Sequence, residues 1–210
     1  LSLFTRLNLP KGNFDWARSK ITLVAQKPSQ LALSDYEQQI QNQPLDEFLN
    51  YSFKQLLLRD PERVLYEGLE QQFEYLVPSY TDISSNYRNE TTAFYQTTLA
   101  KLKTYDLVNS TKIQQQNYDV YLWWLEDQLV LMAYPEFRLG AMHSLELMNF
   151  FLGLHPITNE QDAVNYIDRM SGLADQFASK QAQMNERAAK GVIDPKILLE
   201  HVLSQLTELS

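Results

Sequence analysis

The chain has 210 residues, 44% hydrophobic and 12% aromatic, a profile that supports a buried core and excludes an intrinsically disordered chain. The 18 basic residues against 26 acidic ones leave a net charge of -8, which disfavours a general nucleic-acid binder. Cysteine is absent, which removes disulfide frameworks, thiol nucleophiles, zinc ribbons and iron–sulfur clusters together.

Only six glycines and eight prolines punctuate the chain, a sparsity that favours long helices over many short strands. Residues 1–43 are rich in Ser, Gln, Asn and Lys, with Pro10 and Pro28, and read as an N-terminal arm or linker. A short helix at about 34–40 is the one regular piece expected there. Residues 44–210 read as a helical domain. Its first helix runs Leu45–Leu58 behind Pro44, with Phe48, Leu49, Ser52 and Leu56 on one face. Asp60-Pro61 breaks it, and Pro61 opens a second short helix to about Tyr66, closed by Gly68. Residues 73–80, with Pro78 inside, read as a loop.

Longer helices follow at about 82–105 and 111–133, the latter capped by Ser110-Thr111 and carrying a broad apolar stripe through Val120, Trp124 and Leu129. Pro135 stops it, and a further apolar stretch covers 145–154. Thr158 to Gln161 matches a capping box, from which Ala163, Ile167, Met170, Ala174 and Phe177 recur at spacings of four and three. That stripe predicts one helix over 159–190 with Ile167 and Phe177 buried, ended by Gly191. Pro195 opens a last helix to about 209, where Leu198, Leu199, Val202, Leu203, Leu206 and Leu209 make a wide apolar side. No period-two strand is found. The fold class is all-α, a bundle of long antiparallel helices.

Chemistry-bearing residues are few. Trp123, Trp124, Tyr118 and Tyr121 could form a stacking platform, although large rings on one helix more often fill a core. Glu126 and Asp127 are adjacent, about 100° apart on a helix, so they do not converge on one proton. His143 follows Gly140 in a loop-like stretch and could line a cleft with Trp123 and Tyr121. His155 reads as a cationic cap to the 145–154 stretch, and His201 as exposed. There is no HExxH pair and no two histidines lie three to five residues apart, so neither a metal site nor a catalytic residue is assigned in this chain. The sequence holds no run of about 20 apolar residues that could span a bilayer.

The order of these pieces resembles a known family. Leu45-Asp46-Glu47-Phe48-Leu49 through Asp60-Pro61, then Pro61 to Gly68, is similar to the opening of the bacterial family called domain of unknown function 885. Asn117 to Asp127 resembles its "yDlLrwqLed" helix. His155-Pro156, Asp162-Ala163, Tyr166-Ile167 and Arg169-Met170 resemble its "HP…DA..Yi.RL" helix, and Gly191-Val192 to Pro195 its "kGi.pP" turn. The likeness covers about 44–209.

The family resembles α-helical zinc metallopeptidases whose metal-binding helix lies beyond the region matched here. The resemblance therefore implies an N-terminal helical lobe of a larger hydrolase, acting on peptide-like substrates, with zinc held in a C-terminal lobe. It also implies export to the bacterial envelope or periplasm, in some members with a lipid anchor, which the Leu1 start fits as a processed N-terminus. The apolar side of the last helix would meet the missing lobe or, failing that, a second copy of the chain. The alternative is a stand-alone helical module that binds proteins or ligands.

Overall fold

The computed structural model describes residues 31–69, 80–134, 155 and 157–209, and all regular structure among them is α-helical. Eight helices follow one another: α1 (Leu33–Ile40), α2 (Leu45–Leu58), α3 (Pro61–Tyr66), α4 (Ser85–Leu102), α5 (Lys112–Ala133), α6 (Glu160–Ser171), α7 (Leu173–Ala189) and α8 (Lys196–Leu209). The expected loop at 73–79, the apolar stretch 145–154 and His143 lie outside the described residues.

Local chemistry sets the helix ends. The Asp60 side chain accepts from the Arg63 amide, Pro61 takes the first position, and Gly68 turns the chain at φ 64°. Ser84 caps α4 and Thr111 with Gln114 forms the capping box of α5. At α6 the box sits one residue later than expected, on Asn159 and Asp162 instead of Thr158 and Gln161. The reason is charge. The Asp162 carboxylate accepts from the Thr158 hydroxyl at 2.6 Å and from the amides of Thr158 and Asn159, a set that a neutral glutamine would bind less strongly. The single helix expected over 159–190 is two, because the Gly172 amide is shared between the Asp168 and Arg169 carbonyls and the turn tightens there.

Paired residues give the helix directions. Asp46 meets Gln114 and Ser52 meets Tyr121, so α2 and α5 run parallel. Glu37 meets Thr97 and the Gln41 carbonyl meets Lys101, so α1 and α4 run parallel. The Gln43 carbonyl meets Tyr105 while Arg59 meets Glu90, so α2 and α4 are antiparallel. Those four helices form an alternating bundle around Tyr36, Phe48, Leu56, Phe94, Leu102 and Leu125. The described part of the expected arm is therefore not loose: α1 places Tyr36 and Ile40 in this core.

Four hydroxyls sit inside the bundle. Ser52 donates to the Phe48 carbonyl at 2.6 Å and Thr98 to the Phe94 carbonyl at 2.7 Å, so each has used its only proton. The phenols must then donate: Tyr121 to Ser52 at 2.9 Å and Tyr36 to Thr98 at 2.6 Å. Burial pushes both phenols well above their ordinary range and keeps the donating proton in place. Tyr36→Phe and Tyr121→Phe leave the Ser52 and Thr98 donors satisfied, so each is expected to cost only about 0.5–1.5 kcal/mol. Urea unfolding followed by circular dichroism checks this, and a loss several times larger would mean that the phenols hold the bundle's register.

The second half of the chain is turned the other way. Ile167 is 46% exposed, Phe177 is 40% exposed, and Met170, Ile197 and Leu203 are exposed as well. The residues buried on these helices are polar: Asn165, Arg169, Gln176, Arg187 and Gln205. This corrects the expected burial of Ile167 and Phe177. The apolar stripe was placed on the right helical face, but that face looks outward. The inward face tolerates its two cations because each meets a specific acceptor, described below. Trp124 is half-buried, stacked on Tyr121 at 5.6 Å and edge-on to Phe53 at 5.5 Å.

Candidate functional site

Tyr121 and Trp123 diverge. Tyr121 points into the bundle, between Phe48, Phe53 and Trp124. Trp123 lies on the opposite side of α5 and is 66% exposed, in line with Ile113, Val120 and Val130, which are exposed too. Two residues apart on a helix are about 200° apart, so these two rings share no wall. Glu126 pairs with Lys103 at 2.9 Å at the surface, and Asp127 is exposed. An open groove of ≈ 850 Å³ between α1 and α4 is rimmed by Asp35, Glu37 and Lys101 and holds no buried polar group aimed into it.

The chemistry concentrates elsewhere, on α6, where Tyr80 and Glu62 of α3 act on the charge of Arg169. Among the described residues Arg169 is the largest fully buried side chain, 0% exposed, and its Nη1 lies 2.8 Å from His155 Nδ1. His155 Nε2 lies 3.0 Å from the Asp162 carbonyl oxygen. A guanidinium only donates and a carbonyl only accepts, so the imidazole is neutral, with its proton on Nε2 and a lone pair on Nδ1. Tyr166 packs edge-on against the ring at 5.3 Å.

Burial, opposed by the Asp162 carbonyl bond and reinforced by the Arg169 charge, holds the His155 imidazole below the ordinary histidine range. Burial also brings Arg169 down to about 10, against the pull of Tyr80 and Glu62, so it stays cationic at neutral pH. Glu62 lies behind it: burial raises its carboxyl, while the Thr81 amide, donating at 3.0 Å, works the other way. His155 is thus not the cationic helix cap expected from its place before Pro156. It is an acceptor for a buried guanidinium.

A second buried pair closes the turn before α8. Arg187 Nη2 lies 3.0 Å from Asp194 Oδ1 and Nη1 lies 3.3 Å from Oδ2. Gly191, at φ 79°, reverses the chain between them. His201 is exposed, as expected, and bonds to Gln205. Among the described residues no three of His, Cys, Asp and Glu converge as metal ligands. Within those residues, too, no helix is long and apolar enough to cross a membrane.

Apart from the reading of His155 as a helix cap, the sequence marks His155, Asp162, Tyr166 and Arg169 as pieces of a family pattern. The structure gathers the His155, Tyr166 and Arg169 side chains and the Asp162 carbonyl around one imidazole, and the sequence signal is an X-Pro histidine ahead of a helix that carries an arginine.

A family model described as "Bacterial protein of unknown function (DUF885)" matches residues 61–210. It includes the motifs from Pro61 onward, while α2 lies before the matched residues. No curated protein matches, and no solved structure matches.

Proposed function

We propose, for a chain that belongs to the bacterial family of unknown function DUF885, that these helices form the N-terminal lobe of a zinc-dependent, peptidase-like hydrolase. In this reading they shape one wall of a substrate cleft and supply no catalytic group. The observation that carries it is the outward apolar face of α6 to α8, with Ile167, Met170, Phe177, Ile197 and Leu203 exposed while polar residues of the same helices are buried. A face of this kind marks a contact surface, and a second lobe of the same polypeptide is the occupant that the family resemblance implies.

Zinc does not fit the donors described here. His155 has both ring nitrogens engaged, and no three-ligand set converges among the described residues, so no step through a metal is derived for this chain. The metal would belong to the other lobe. A place in the bacterial envelope, with or without a lipid anchor, goes with this reading.

The test is to express the longest polypeptide encoded around this chain. The expected result is peptide hydrolysis that a chelator abolishes and that the 210-residue chain alone lacks, with residues 167–177 more protected from hydrogen exchange in the longer product. A gene product with no hydrolase activity, in which that face exchanges as fast as in the short chain, overturns it. A stand-alone interaction or ligand-binding module is the second reading. It is favoured by the separate exposed row of Ile113, Val120, Trp123 and Val130 on α5.

A further inference from the structure

Two side chains of the motif cluster and one backbone carbonyl form a run of donors and acceptors that works in only one protonation state of the imidazole. Arg169 Nη1 donates to His155 Nδ1 at 2.8 Å, and His155 Nε2–H donates to the Asp162 carbonyl at 3.0 Å. A proton added to Nδ1 removes the lone pair that Arg169 uses and sets an imidazolium against a guanidinium at that distance. The second bond survives, since Nε2 keeps its hydrogen. The conflict therefore falls on the Arg169 contact alone, inside a region where water cannot screen it.

We propose that the His155–Arg169 contact is an acid-released latch, closed while His155 is neutral and opened by protonation of Nδ1. It ties residue 155 to α6.

The charged and titratable groups around it, among the described residues, are few. From α6 come Arg169, Asp162 and Tyr166. Behind Arg169 stand Glu62 of α3 and Tyr80. Lys180 of α7 acts on Glu62 in turn. The Asp162 carboxylate is held low, chiefly by the Thr158 hydroxyl, and so titrates below the histidine window. Glu62 acts in the opposite sense to His155: its raised carboxyl takes up a proton more readily in the folded state, which adds stability on acidification.

The sign for His155 follows from its lowered folded value. Its contribution is complete above the unfolded histidine value of about 6.5 and is lost as pH falls through the folded value.

The experiment has two arms, both on the 210-residue chain. In the first, His143→Gln and His201→Gln leave His155 as the single imidazole, and its ring protons are titrated by NMR. A midpoint below about 6.5 is expected, moving up when Arg169→Met is added. In the second, urea midpoints of wild type and His155→Asn are compared between about pH 7.5 and about pH 5. The Asn oxygen can still accept from Arg169 but has no proton equilibrium. Wild type is expected to lose more stability on acidification than the Asn variant, and the difference removes the Glu62 contribution common to both. A His155 midpoint at or above the ordinary value, or identical pH slopes for the two proteins, overturns the latch. If either variant fails to fold, the titration of the single-imidazole protein decides.

Discussion

Phe94→Ala is expected to destabilise the protein by about 3–5 kcal/mol, the range for truncating a fully buried core aromatic. The ring sits at the centre of the α1–α2–α4–α5 bundle, 5.0 Å from Tyr36, and the Arg59 guanidinium lies over its face at 4.3 Å. The same guanidinium covers Tyr87 at 4.4 Å, donates from Nε to Thr91 at 3.0 Å and pairs with Glu90 at 2.9 Å. It is fixed on every side and cannot follow the missing ring inward, so the cavity stays open and adds to the transfer cost. Phe177→Ala is the control. That ring is 40% exposed, so its truncation should cost under about 2 kcal/mol. Urea denaturation of the two variants side by side gives the comparison. Equal losses would mean that the α7 face is covered in solution and that its apolar stripe is core after all.

The contrast between those two phenylalanines shows where the sequence could be read and where it could not. Helix ends were legible because single residues determine them: Pro61 and Gly68 bound α3, and Thr111 with Gln114 starts α5. Helical periodicity was legible too, and the stripe through Ile167 and Phe177 does lie on one face. What periodicity cannot say is which side of a helix faces inward when both sides carry a regular pattern. Asn165, Arg169, Gln176 and Arg187 recur at helical spacing as well, and arginine on a helix is ordinarily read as solvated. The two arginines meet His155 and Asp194, partners from outside their own helices, and such a partner has no period to detect. The α1 helix is legible at 34–40, but its place in the core is not. Its core side chains, Tyr36 and Ile40, stand among Asp, Glu and Gln, so composition hides the packing and not the helix. The candidate cleft of Tyr121 and Trp123 needed no structure to question it, since two positions two residues apart on a helix cannot face one ligand.

A common device emerges in the α6–α8 region. Each buried arginine is anchored on a residue that chain geometry delivers from outside its own helix: His155 arrives ahead of α6, and Asp194 returns after the Gly191 turn. The two anchors differ in charge, so they differ in what disturbs them. The neutral imidazole accepts through a lone pair that a proton would take, whereas the Asp194 carboxylate meets its arginine charge to charge. The region thereby combines one tie to a neutral, protonatable acceptor with one to a counter-charge. Nothing in the apolar stripe outside could supply that difference, because dispersion and apolar burial do not titrate.

The second large effect follows from the carboxylate anchor. Asp194→Ala is expected to cost about 3–5 kcal/mol, as for breaking a buried ion pair from one side. The Arg187 and Asp194 side chains are only 10% and 6% exposed, and the two bonds between them are bidentate. Removing the carboxylate takes away the bidentate acceptor of a desolvated guanidinium, and desolvation is the larger part of the loss. It also frees the turn that closes on Val192 donating to the Arg187 carbonyl at 3.0 Å. Replacing both partners by apolar residues of similar size, Arg187→Met with Asp194→Leu, removes the buried charge together with its acceptor. That double variant should recover most of the loss, because a well-packed apolar pair is often as stable as the ion pair it replaces. Unfolding midpoints of the two single variants and the double variant complete a mutant cycle. A single-variant loss under about 1 kcal/mol would place the pair in the class of solvated surface bridges.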